Sequence, residues 1–303
     1  MFRQAIFLVM AVVIVGSEAK NFCTDNSRQI DPFVSTEWLA RHINDRGMIL
    51  LDVRTIEAYN EGHVLGSVSA PISQWWVIRD ELLLELPEPD DLRVLIGNAG
   101  ITSKTKVVII GQTDSDYDRA NGTRVAWTLI YAGIKNIAIL DGGITKWLSE
   151  NRAISTDSYI PTPQVYNGRF NEDVLVTKSY VNRYLNCAKI IDNRIPEDFF
   201  GVSPLEFSTK EGHIKGASSL PTPWVFTKSG TFKDIAVLEE MATNVVGKCK
   251  NARVITYCGV GGYGATWWYI LSEVLGYQNV SLYDGSIQEW TRDPRAPVQK
   301  FTW

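Results

Sequence analysis

The chain carries the same short motifs twice, and this internal repeat constrains its fold more than any other feature. Three motifs recur in the same order: Asp-x-Arg ending at Arg54 and Arg194, Glu-Gly-His ending at His63 and His213, and Asp-Gly beginning at Asp141 and Asp284. The offset between corresponding motifs of the two halves varies from one motif to the next, as loop insertions would produce. A fixed order of motifs in two halves of a 303-residue chain is typical of duplication. The sequence therefore predicts two tandem copies of one domain.

Each copy alternates apolar, strand-like runs with helix-like segments. This alternation predicts an α/β fold in which a mainly parallel sheet is covered by helices on both faces. With 45% hydrophobic residues, each copy has enough apolar side chains to bury a core of its own. We place the first domain at residues 20–154 and the second at residues 169–303. Between them, residues 155–168 are predicted to be a linker, because prolines occur there and no apolar period does.

The first nineteen residues lie outside both copies. Arg3 precedes an apolar run at residues 5–15, and the small residues Ser17 and Ala19 follow it, which is the pattern of a secretory signal peptide. An uncleaved membrane anchor is the alternative, although the run is short for spanning a bilayer. We therefore predict a signal peptide at residues 1–19, export to the periplasm or secretion, and no stable membrane association after cleavage.

Cys258 lies where an apolar run ends and a glycine-rich loop begins. Residues 254–257 predict a short buried strand, and residues 266–275 predict a buried helix. Three of the four residues after the cysteine are glycines, which allow backbone N–H groups to converge on one point, and the helix adds its positive end. Such a loop stabilises a thiolate or a bound anion. A buried structural cysteine is the alternative.

Together these motifs resemble the two-domain rhodaneses, the sulfurtransferase family that includes thiosulfate and 3-mercaptopyruvate sulfurtransferases. The resemblance covers about residues 30–298 and rests on the Asp-x-Arg strand ends, the paired Glu-Gly-His turns, the cysteine loop and the Asp-Gly turns that precede a tryptophan. It implies two tandem rhodanese-like domains, of which the second holds a reactive cysteine on a six-residue loop. In this chain the loop comprises Cys258, Gly259, Val260, Gly261, Gly262 and Tyr263.

The resemblance implies catalysis through a persulfide on Cys258. The thiolate attacks the outer sulfur of a donor such as thiosulfate, and a thiol or cyanide acceptor then removes that sulfur. The loop amides and the helix end are expected to lower the pKa of the thiol, and no metal or organic cofactor is required. The expected partners are a small sulfur donor and a thiol acceptor, or a sulfur-carrier protein. The alternative function is a sulfane-sulfur carrier or binding protein without catalytic turnover.

The substrate-binding positions depart from the family pattern. Thiosulfate-preferring relatives usually carry basic residues in the loop, whereas this loop has no charge. Mercaptopyruvate-preferring relatives use two arginines, of which Arg194 matches the first while Asp198 replaces the second. Arg194 is a candidate substrate-binding residue, but Arg54 occupies its place in the copy without the cysteine, so a structural ion pair is an equal alternative. Tyr263 adds bulk and a hydroxyl group at the mouth of the expected pocket.

Three further cysteines need separate explanations. Cys187 and Cys249 each precede a strand of the second copy, so both are expected at one edge of its sheet, opposite the edge that carries Cys258. In an exported protein a disulfide bond between these two thiols is predicted, with two free thiols as the alternative. Cys23, near the expected mature N-terminus, has no predicted role.

Several other functions are disfavoured by the sequence. A Cys-His protease needs an imidazole near the thiol, but His63 and His213 recur in both copies and are predicted to stabilise turns, while His42 lies on a predicted surface helix. A cysteine phosphatase needs a longer loop with an arginine for the phosphoryl oxygens, and this loop has none. With a net charge of −4 and no cluster of Lys or Arg, nucleic acid is not expected as a partner.

The first copy lacks the reactive cysteine. Aligning the apolar runs places Gly111 or Gln112 where the second copy has its thiol. The loop that follows carries Asp114, Asp116 and Asp118, whose alternation allows a calcium site. A solvated acidic turn is the alternative, because the remaining ligands of a calcium loop are missing. The first copy is therefore predicted to pack against the second and wall its cleft.

Overall fold

The structure, a computed structural model, describes residues 28–302. Its strands are β1 (Phe33–Val34), β2 (Met48–Asp52), β3 (Val68–Ser69), β4 (Val77–Arg79), β5 (Leu82–Glu85), β6 (Lys106–Ile110), β7 (Ile137–Leu140), β8 (Leu175–Val176), β9 (Lys189–Asp192), β10 (His213–Ile214), β11 (Ser218–Ser219), β12 (Val254–Tyr257), β13 (Val280–Tyr283) and β14 (Val298–Gln299). Its α-helices are α1 (Thr36–His42), α2 (Ile56–Glu61), α3 (Pro89–Asn98), α4 (Asp116–Tyr131), α5 (Gly143–Ser149), α6 (Lys178–Tyr184), α7 (Pro196–Phe200), α8 (Ile235–Val245), α9 (Gly262–Tyr269) and α10 (Ser286–Arg292). A π-helical segment at Ile270–Val274 continues α9, and short 3-10 helices lie at Ile72–Gln74, Glu172–Val174 and Thr222–Val225.

Two five-stranded sheets have the same strand order. The first is β1-β7-β6-β2-β3 and the second is β8-β13-β12-β9-β11, and neighbouring strands in both are parallel. Strand by strand, the second order repeats the first. The predicted α/β fold with two tandem domains of one type is confirmed.

Both faces of each sheet are covered, as the continuous apolar runs predict. In β6, Val107 and Ile109 belong to one apolar cluster, whereas Val108 and Ile110 belong to another. The side chains of a strand alternate between the two faces of its sheet, so the two clusters lie on opposite faces. Because both faces of the sheet are buried, a ligand is expected at the carboxyl ends of its strands.

Helices α4 and α9 form the centre of the interface between the domains. Thr123 of α4 and Thr266 of α9 lie at matching positions of the repeat, and their hydroxyl oxygens are 2.7 Å apart in a buried hydrogen bond. Around them, one apolar core includes Trp127 from the first domain and Trp267 from the second. Because the core is shared, the domains are held together and one site can contain residues from both.

Each domain extends an arm to the Asp-Gly turn of the other. The β4–β5 hairpin of the first domain leads to Leu86, whose N–H donates to Asp284 at 3.2 Å. Residues 226–232 of the second domain lead to Phe232, whose N–H donates to Asp141 at 2.8 Å. The two contacts correspond to each other in the repeat. The exchange of arms is therefore part of the duplicated architecture.

The predicted linker, residues 155–168, is held against the first domain. Ser155 forms a β-bridge with His63, so the Glu-Gly-His turn of the first domain fixes its start. Near its end, the buried Tyr166 hydroxyl donates to the Ala132 carbonyl at 2.6 Å. These contacts fix the connection at both ends.

The predicted disulfide bond between Cys187 and Cys249 is absent, and this prediction is wrong. Both residues do precede strands of the second sheet at its amino-terminal edge, but both thiols are free and exposed to solvent. Lys189 pairs with Val254, so the two cysteines stand at unequal distances along the chain from the nearest strand pair. They lie in separate turns that the strand register does not bring opposite each other.

The predicted signal peptide at residues 1–19 lies outside the described residues. Cys23, for which the sequence predicts no role, lies outside them as well. Within residues 28–302, no helix has the length and apolar character that crossing a membrane requires.

Candidate active site

Cys258 lies directly after β12, at the carboxyl edge of the second sheet. The strand is buried throughout, and α9 begins at Gly262 after a short loop. Within this loop Gly261 has a φ of 89°, a left-handed conformation that glycine adopts without strain. Only 3% of the Cys258 surface is exposed. The thiol therefore lies at the floor of the site.

The backbone of the loop and of the first turn of α9 provides hydrogen-bond donors to the Cys258 thiol. The N–H groups of Gly264, Val260 and Gly261 donate to the sulfur and act to lower its pKa. Burial is the larger effect, so the pKa of the Cys258 thiol is raised above its usual value. The predicted lowering is wrong for the free thiol, because the buried sulfur loses more solvation than the amides replace, and Asp192 adds a nearby negative charge.

The other glycines of the loop differ in what they require. A Cβ at position 259 would lie 2.9 Å from the Phe207 ring, whereas a Cβ at position 262 would meet nothing within 4 Å. At position 261 a Cβ would collide with the Asp284 carboxylate. Gly261 is therefore required by both its φ and its packing, and a side chain at Gly259 would displace the Phe207 ring. Gly262 begins α9, and the half-buried Val260 contributes its N–H group.

Ser286 fixes the backbone of Cys258, a role that no sequence motif reveals. Its hydroxyl accepts the Cys258 N–H at 3.2 Å and donates to the Tyr283 carbonyl at 2.9 Å. Ser286 has a φ of 52°, in the left-handed region that few residues other than glycine adopt. The first domain has Gly143 at this position. The only signal in the sequence was this difference between the two Asp-Gly turns.

Arg194 forms a buried ion pair beneath the site. Its Nε donates to Asp192 at 2.9 Å, and its Nη2 donates to the Gly212 carbonyl at 2.8 Å. Arg54 of the first domain makes the same two kinds of contact, with Asp52 and with the carbonyl of its own Glu-Gly-His turn. Because both domains repeat this arrangement, the geometry favours a structural role for Arg194 over substrate binding.

A second buried ion pair crosses between the domains behind the cysteine loop. Arg124 of α4 donates to both carboxylate oxygens of Asp284, through Nη1 and, at 3.1 Å, through Nη2. Their side chains are only 2% and 5% exposed. Asp284 packs directly against Gly261. The first domain therefore braces the loop through a charged contact that its own sequence motifs do not predict.

Two tyrosines from different domains form the mouth of the site. Tyr263 stacks on Tyr117 of α4, with ring centroids 5.3 Å apart, and its carbonyl accepts the Thr222 hydroxyl at 2.8 Å. Asp198 lies within electrostatic range of Tyr263 and of Arg194. Burial raises the pKa of Asp198, and Arg194 opposes that rise. Asp198 is thus close enough to influence the charge at the site. Tyr117 is a residue of the mouth that the sequence did not indicate.

The first domain has no site at the matching position. Pairing of β2 with β6 ends at Ile110, as pairing of β9 with β12 ends at Tyr257, so Gly111 matches Cys258. The cavity there measures only ≈ 20 Å³ and is lined in part by the arm of residues 226–232. This volume is far below that of a ligand pocket. The arm of the second domain fills the place where a substrate would lie.

The carboxylates of the first-domain loop take separate partners. Asp116 pairs with Arg119 at 2.9 Å, Asp118 accepts the Ser115 hydroxyl at 2.6 Å, and Asp114 accepts hydrogen bonds from two other polar side chains. Among residues 28–302, no group of three or more ligating side chains is arranged to hold a metal ion. These contacts place the three carboxylates at the polar start of α4.

The repeated histidines stabilise turns, as predicted. Nδ1 of His63 lies 2.9 Å from the Tyr59 carbonyl, and the two rings stack at 3.7 Å. Nδ1 of His213 lies 2.9 Å from the Phe199 carbonyl, and these rings stack at 3.8 Å. Both histidines are fully buried. Packing explains their presence in both copies without a role at the thiol.

Proteins of similar sequence share most of their length with this chain. A Haloferax volcanii protein named "Putative thiosulfate sulfurtransferase" is 29% identical over 286 residues, which cover 89% of this chain and 96% of that protein. The "Sulfur carrier protein TtuD" of Thermus thermophilus is 26% identical over 281 residues, which cover 88% of this chain and 96% of that protein. The similarity thus includes both domains.

Solved structures with this fold include the anaerobic ergothioneine biosynthesis enzyme of Chlorobium limicola, in complex with trimethyl histidine. It matches with a TM-score of 0.78 at 20% sequence identity, over 90% of this chain and 71% of that chain. At this identity the likeness concerns the fold.

A family of known domains matches both halves of the chain. The Rhodanese-like domain matches residues 35–150 and again residues 177–293. These two matches cover the two sheets that share one strand order. With relatives named for sulfurtransfer that align along both halves, this chain belongs to the rhodanese family as a protein of two rhodanese-like domains.

Proposed function

We propose that this protein is a sulfurtransferase that moves sulfane sulfur from a donor to a thiol or cyanide acceptor through a persulfide on Cys258. The observation that carries this proposal is the convergence of three backbone N–H groups, two from the loop and one from the first turn of α9, on a buried cysteine sulfur. A persulfide places a negative charge one atom further out, and backbone N–H groups in such a nest stabilise anions. The names of the relatives support the same class of reaction.

The first step transfers sulfur to the protein. The Cys258 thiol loses its proton to solvent, and the thiolate attacks the outer sulfur of the donor. A new S–S bond forms as the S–S bond of the donor breaks, and the electron pair leaves with sulfite when thiosulfate is the donor. Because burial raises the pKa of Cys258, the rate of this step is expected to rise with pH as the thiolate forms.

The second step regenerates the thiolate. The acceptor attacks the outer sulfur of the persulfide, the S–S bond to Cys258 breaks, and its electron pair returns to the cysteine sulfur. The product is an acceptor persulfide, or thiocyanate when the acceptor is cyanide. In each step one S–S bond breaks and one new bond to the transferred sulfur forms, either S–S or, with cyanide, C–S, so the electrons balance.

The charges around the loop bear on the choice of donor. Residues 258–263 carry no charged side chain, and Arg194 is already bound by Asp192. Asp198 would repel a carboxylate that approached the site. A persulfide, a polysulfide or a sulfur-carrier protein therefore fits the site as well as thiosulfate or mercaptopyruvate does.

A sulfane-sulfur carrier is the second candidate function. It is favoured by the deep burial of Cys258 and by the relative named as a sulfur carrier protein. In that case Cys258 would hold a persulfide for a protein partner and turn over small donors slowly.

One experiment tests the chemistry and separates the two candidates. Mass spectrometry of protein treated with thiosulfate or polysulfide should show one added sulfur on the peptide that contains Cys258. The Cys187→Ser variant is the matched control and should acquire the same sulfur on Cys258. Steady-state turnover with thiosulfate plus cyanide, or with mercaptopyruvate plus a thiol, supports an enzyme. Loading without turnover supports the carrier. Sulfur on another cysteine, or on none, contradicts both.

We also propose that the protein is exported, on the sequence of residues 1–19 alone. Amino-terminal sequencing of protein recovered outside the cytoplasm should begin near Lys20. An intact Met1 on all of the protein would contradict this.

A further inference from the structure

An aromatic pair built by both domains stands beside the thiol. Tyr117 and Tyr263 stack with an interplanar angle of 24°, and Tyr263 lies within electrostatic range of Cys258. Tyr117 is 75% exposed, so much of its ring remains open to a ligand. The faces of tyrosine rings attract cations.

Two carboxylates lie within electrostatic range of Tyr263. Burial raises the pKa of Tyr263, and the negative charges of Asp116 and Asp198 add to that rise. Glu197 adjoins Asp198 and acts on it in turn. Asp198 forms no ion pair within residues 28–302 that is short enough to be a salt bridge, and it is half-buried. The mouth of the site therefore carries a carboxylate that forms no salt bridge within the described part of the chain and lies within electrostatic range of Tyr263.

Two arginines near the aromatic pair are already bound by carboxylates. Arg119 lies 2.9 Å from Asp116, and Arg194 is buried against Asp192. The cysteine loop itself adds no charge. Because these two arginines are neutralised by their partners, the Asp198 carboxylate leaves a negative charge at the mouth. This charge repels anionic thiols and attracts cationic ones.

We propose that the sulfur acceptor of this protein is a thiol that carries an ammonium group, as an aminothiol does, held by Tyr117, Tyr263 and Asp198. The inference rests on the proposed persulfide chemistry and names the substrate class of its second step. The ammonium group lies against the tyrosine face and the Asp198 carboxylate. Its thiolate attacks the outer sulfur of the Cys258 persulfide, the S–S bond to Cys258 breaks, and the acceptor leaves as an aminothiol persulfide.

The test compares three acceptors that differ in charge. Protein is first loaded with sulfur, and the loading is measured by mass spectrometry. Cysteamine, 2-mercaptoethanol and 3-mercaptopropionate are then added, and loss of the sulfur is followed by single-turnover kinetics at equal thiolate concentrations. A small persulfide in solution, treated in the same way, gives the intrinsic order of reactivity. Relative to that reference, cysteamine should exceed 3-mercaptopropionate by about ten-fold, as expected for one cation–π contact and one charge pair.

Variants assign the preference to the named residues. Asp198→Asn should reduce the cysteamine preference by about three-fold, and Tyr117→Ala should reduce it while Tyr117→Phe retains it. Glu37→Gln, which changes an exposed carboxylate on α1, is the matched control and should leave the preference unchanged. Added salt should slow transfer to cysteamine and speed transfer to 3-mercaptopropionate.

The outcomes are distinguishable from those of the proposed function. If loading succeeds but the acceptor preference equals that in solution, or if Asp198→Asn leaves the size of the cysteamine preference unchanged, the cationic acceptor is wrong while the persulfide chemistry stands. If no sulfur loads on Cys258, the proposed function fails and the inference fails with it.

Discussion

The two domains share a strand order, a buried Asp-x-Arg ion pair and a Glu-Gly-His turn with a stacked histidine, yet they differ at the end of one strand. In the second domain that strand leads to Cys258 and a loop whose amides surround the sulfur. In the first it leads to Gly111, where the arm of residues 226–232 fills the space. The shared motifs therefore build the sheet and the turns at its edge in both domains. The chemistry depends on the loop and on what the other domain places over it.

The Asp-Gly turns show the same contrast in charge. Asp284 has a buried arginine partner, Arg124, from the other domain. Asp141 accepts the Phe232 N–H, and burial raises the pKa of its carboxyl group, opposed by that N–H and by Lys146. Both turns thus accept a backbone N–H from the other domain, and the turn of Asp284 is held by a buried ion pair as well.

Exchanging the residues at the strand end should have the largest effect on activity. Cys258→Ser should reduce sulfur transfer by at least about a thousand-fold while the fold remains, as removal of a catalytic nucleophile does. Gly111→Cys combined with Cys258→Ser should not restore it, because the first-domain position is filled by the other domain. Steady-state assays measure both. Activity regained in the double variant would contradict the view that the covering arm, and not the missing thiol alone, silences the first domain.

Removing the charged brace should strongly destabilise the protein. Arg124→Met leaves Asp284 buried without its partner, which typically costs about 3–5 kcal/mol of unfolding free energy. Asp141→Asn in the first domain is the matched control and should cost much less, since an amide oxygen can still accept the Phe232 N–H. Urea unfolding measures both. Equal losses in the two variants would show that the asymmetry between the turns is not energetic.

Replacing Ser286 should separate activity from stability. Ser286→Ala leaves the buried Cys258 N–H without an acceptor, which costs about 1–3 kcal/mol, and displacement of the thiol should lower kcat by about ten-fold or more. Ser286→Gly copies the turn of the first domain and relieves the positive φ, so it should be more stable than the alanine variant but similarly slow. A glycine variant with full kcat would mean that the hydroxyl does not position the loop.

Changing the charge at Asp198 should alter the choice of donor. Asp198→Arg should lower KM for mercaptopyruvate several-fold, since a new arginine–carboxylate pair is worth roughly 1–2 kcal/mol when partly exposed. KM for thiosulfate should change less. The comparison uses steady-state kinetics with both donors. Unchanged constants for both would mean that Asp198 does not face the bound donor.

The arm of the first domain should add a small pH dependence. Burial, followed by repulsion from Asp284, raises the pKa of Glu85 on β5 to about 7. A carboxyl group with a raised pKa binds its proton more tightly in the folded state, so stability should fall as the pH rises from about 4 towards 7. Glu85→Gln should flatten this part of the urea-unfolding profile. An identical profile for the variant would contradict the assignment.

Sequence patterns were most informative where they repeat. The duplicated motifs predicted two parallel-sheet domains of one type, and Cys258 at a strand-to-helix turn followed from apolar periodicity and glycines alone. Local patterns of this kind reflect backbone requirements that a few neighbouring residues satisfy. The predicted disulfide failed for the opposite reason, because two cysteines near one sheet edge still depend on strand register and turn direction to meet.

The sequence by itself determined the two-domain α/β fold, the position of Cys258 at the end of a strand and the absence of charge in the loop that follows it. Only the tertiary structure decided that Arg124 braces the loop, that Tyr117 meets Tyr263, and that burial outweighs the amides in setting the pKa of Cys258. Each of these depends on residues far apart in the chain and on how much water the packing excludes. A short motif encodes neither these long-range contacts nor the exclusion of water, because both arise only when the two domains pack together.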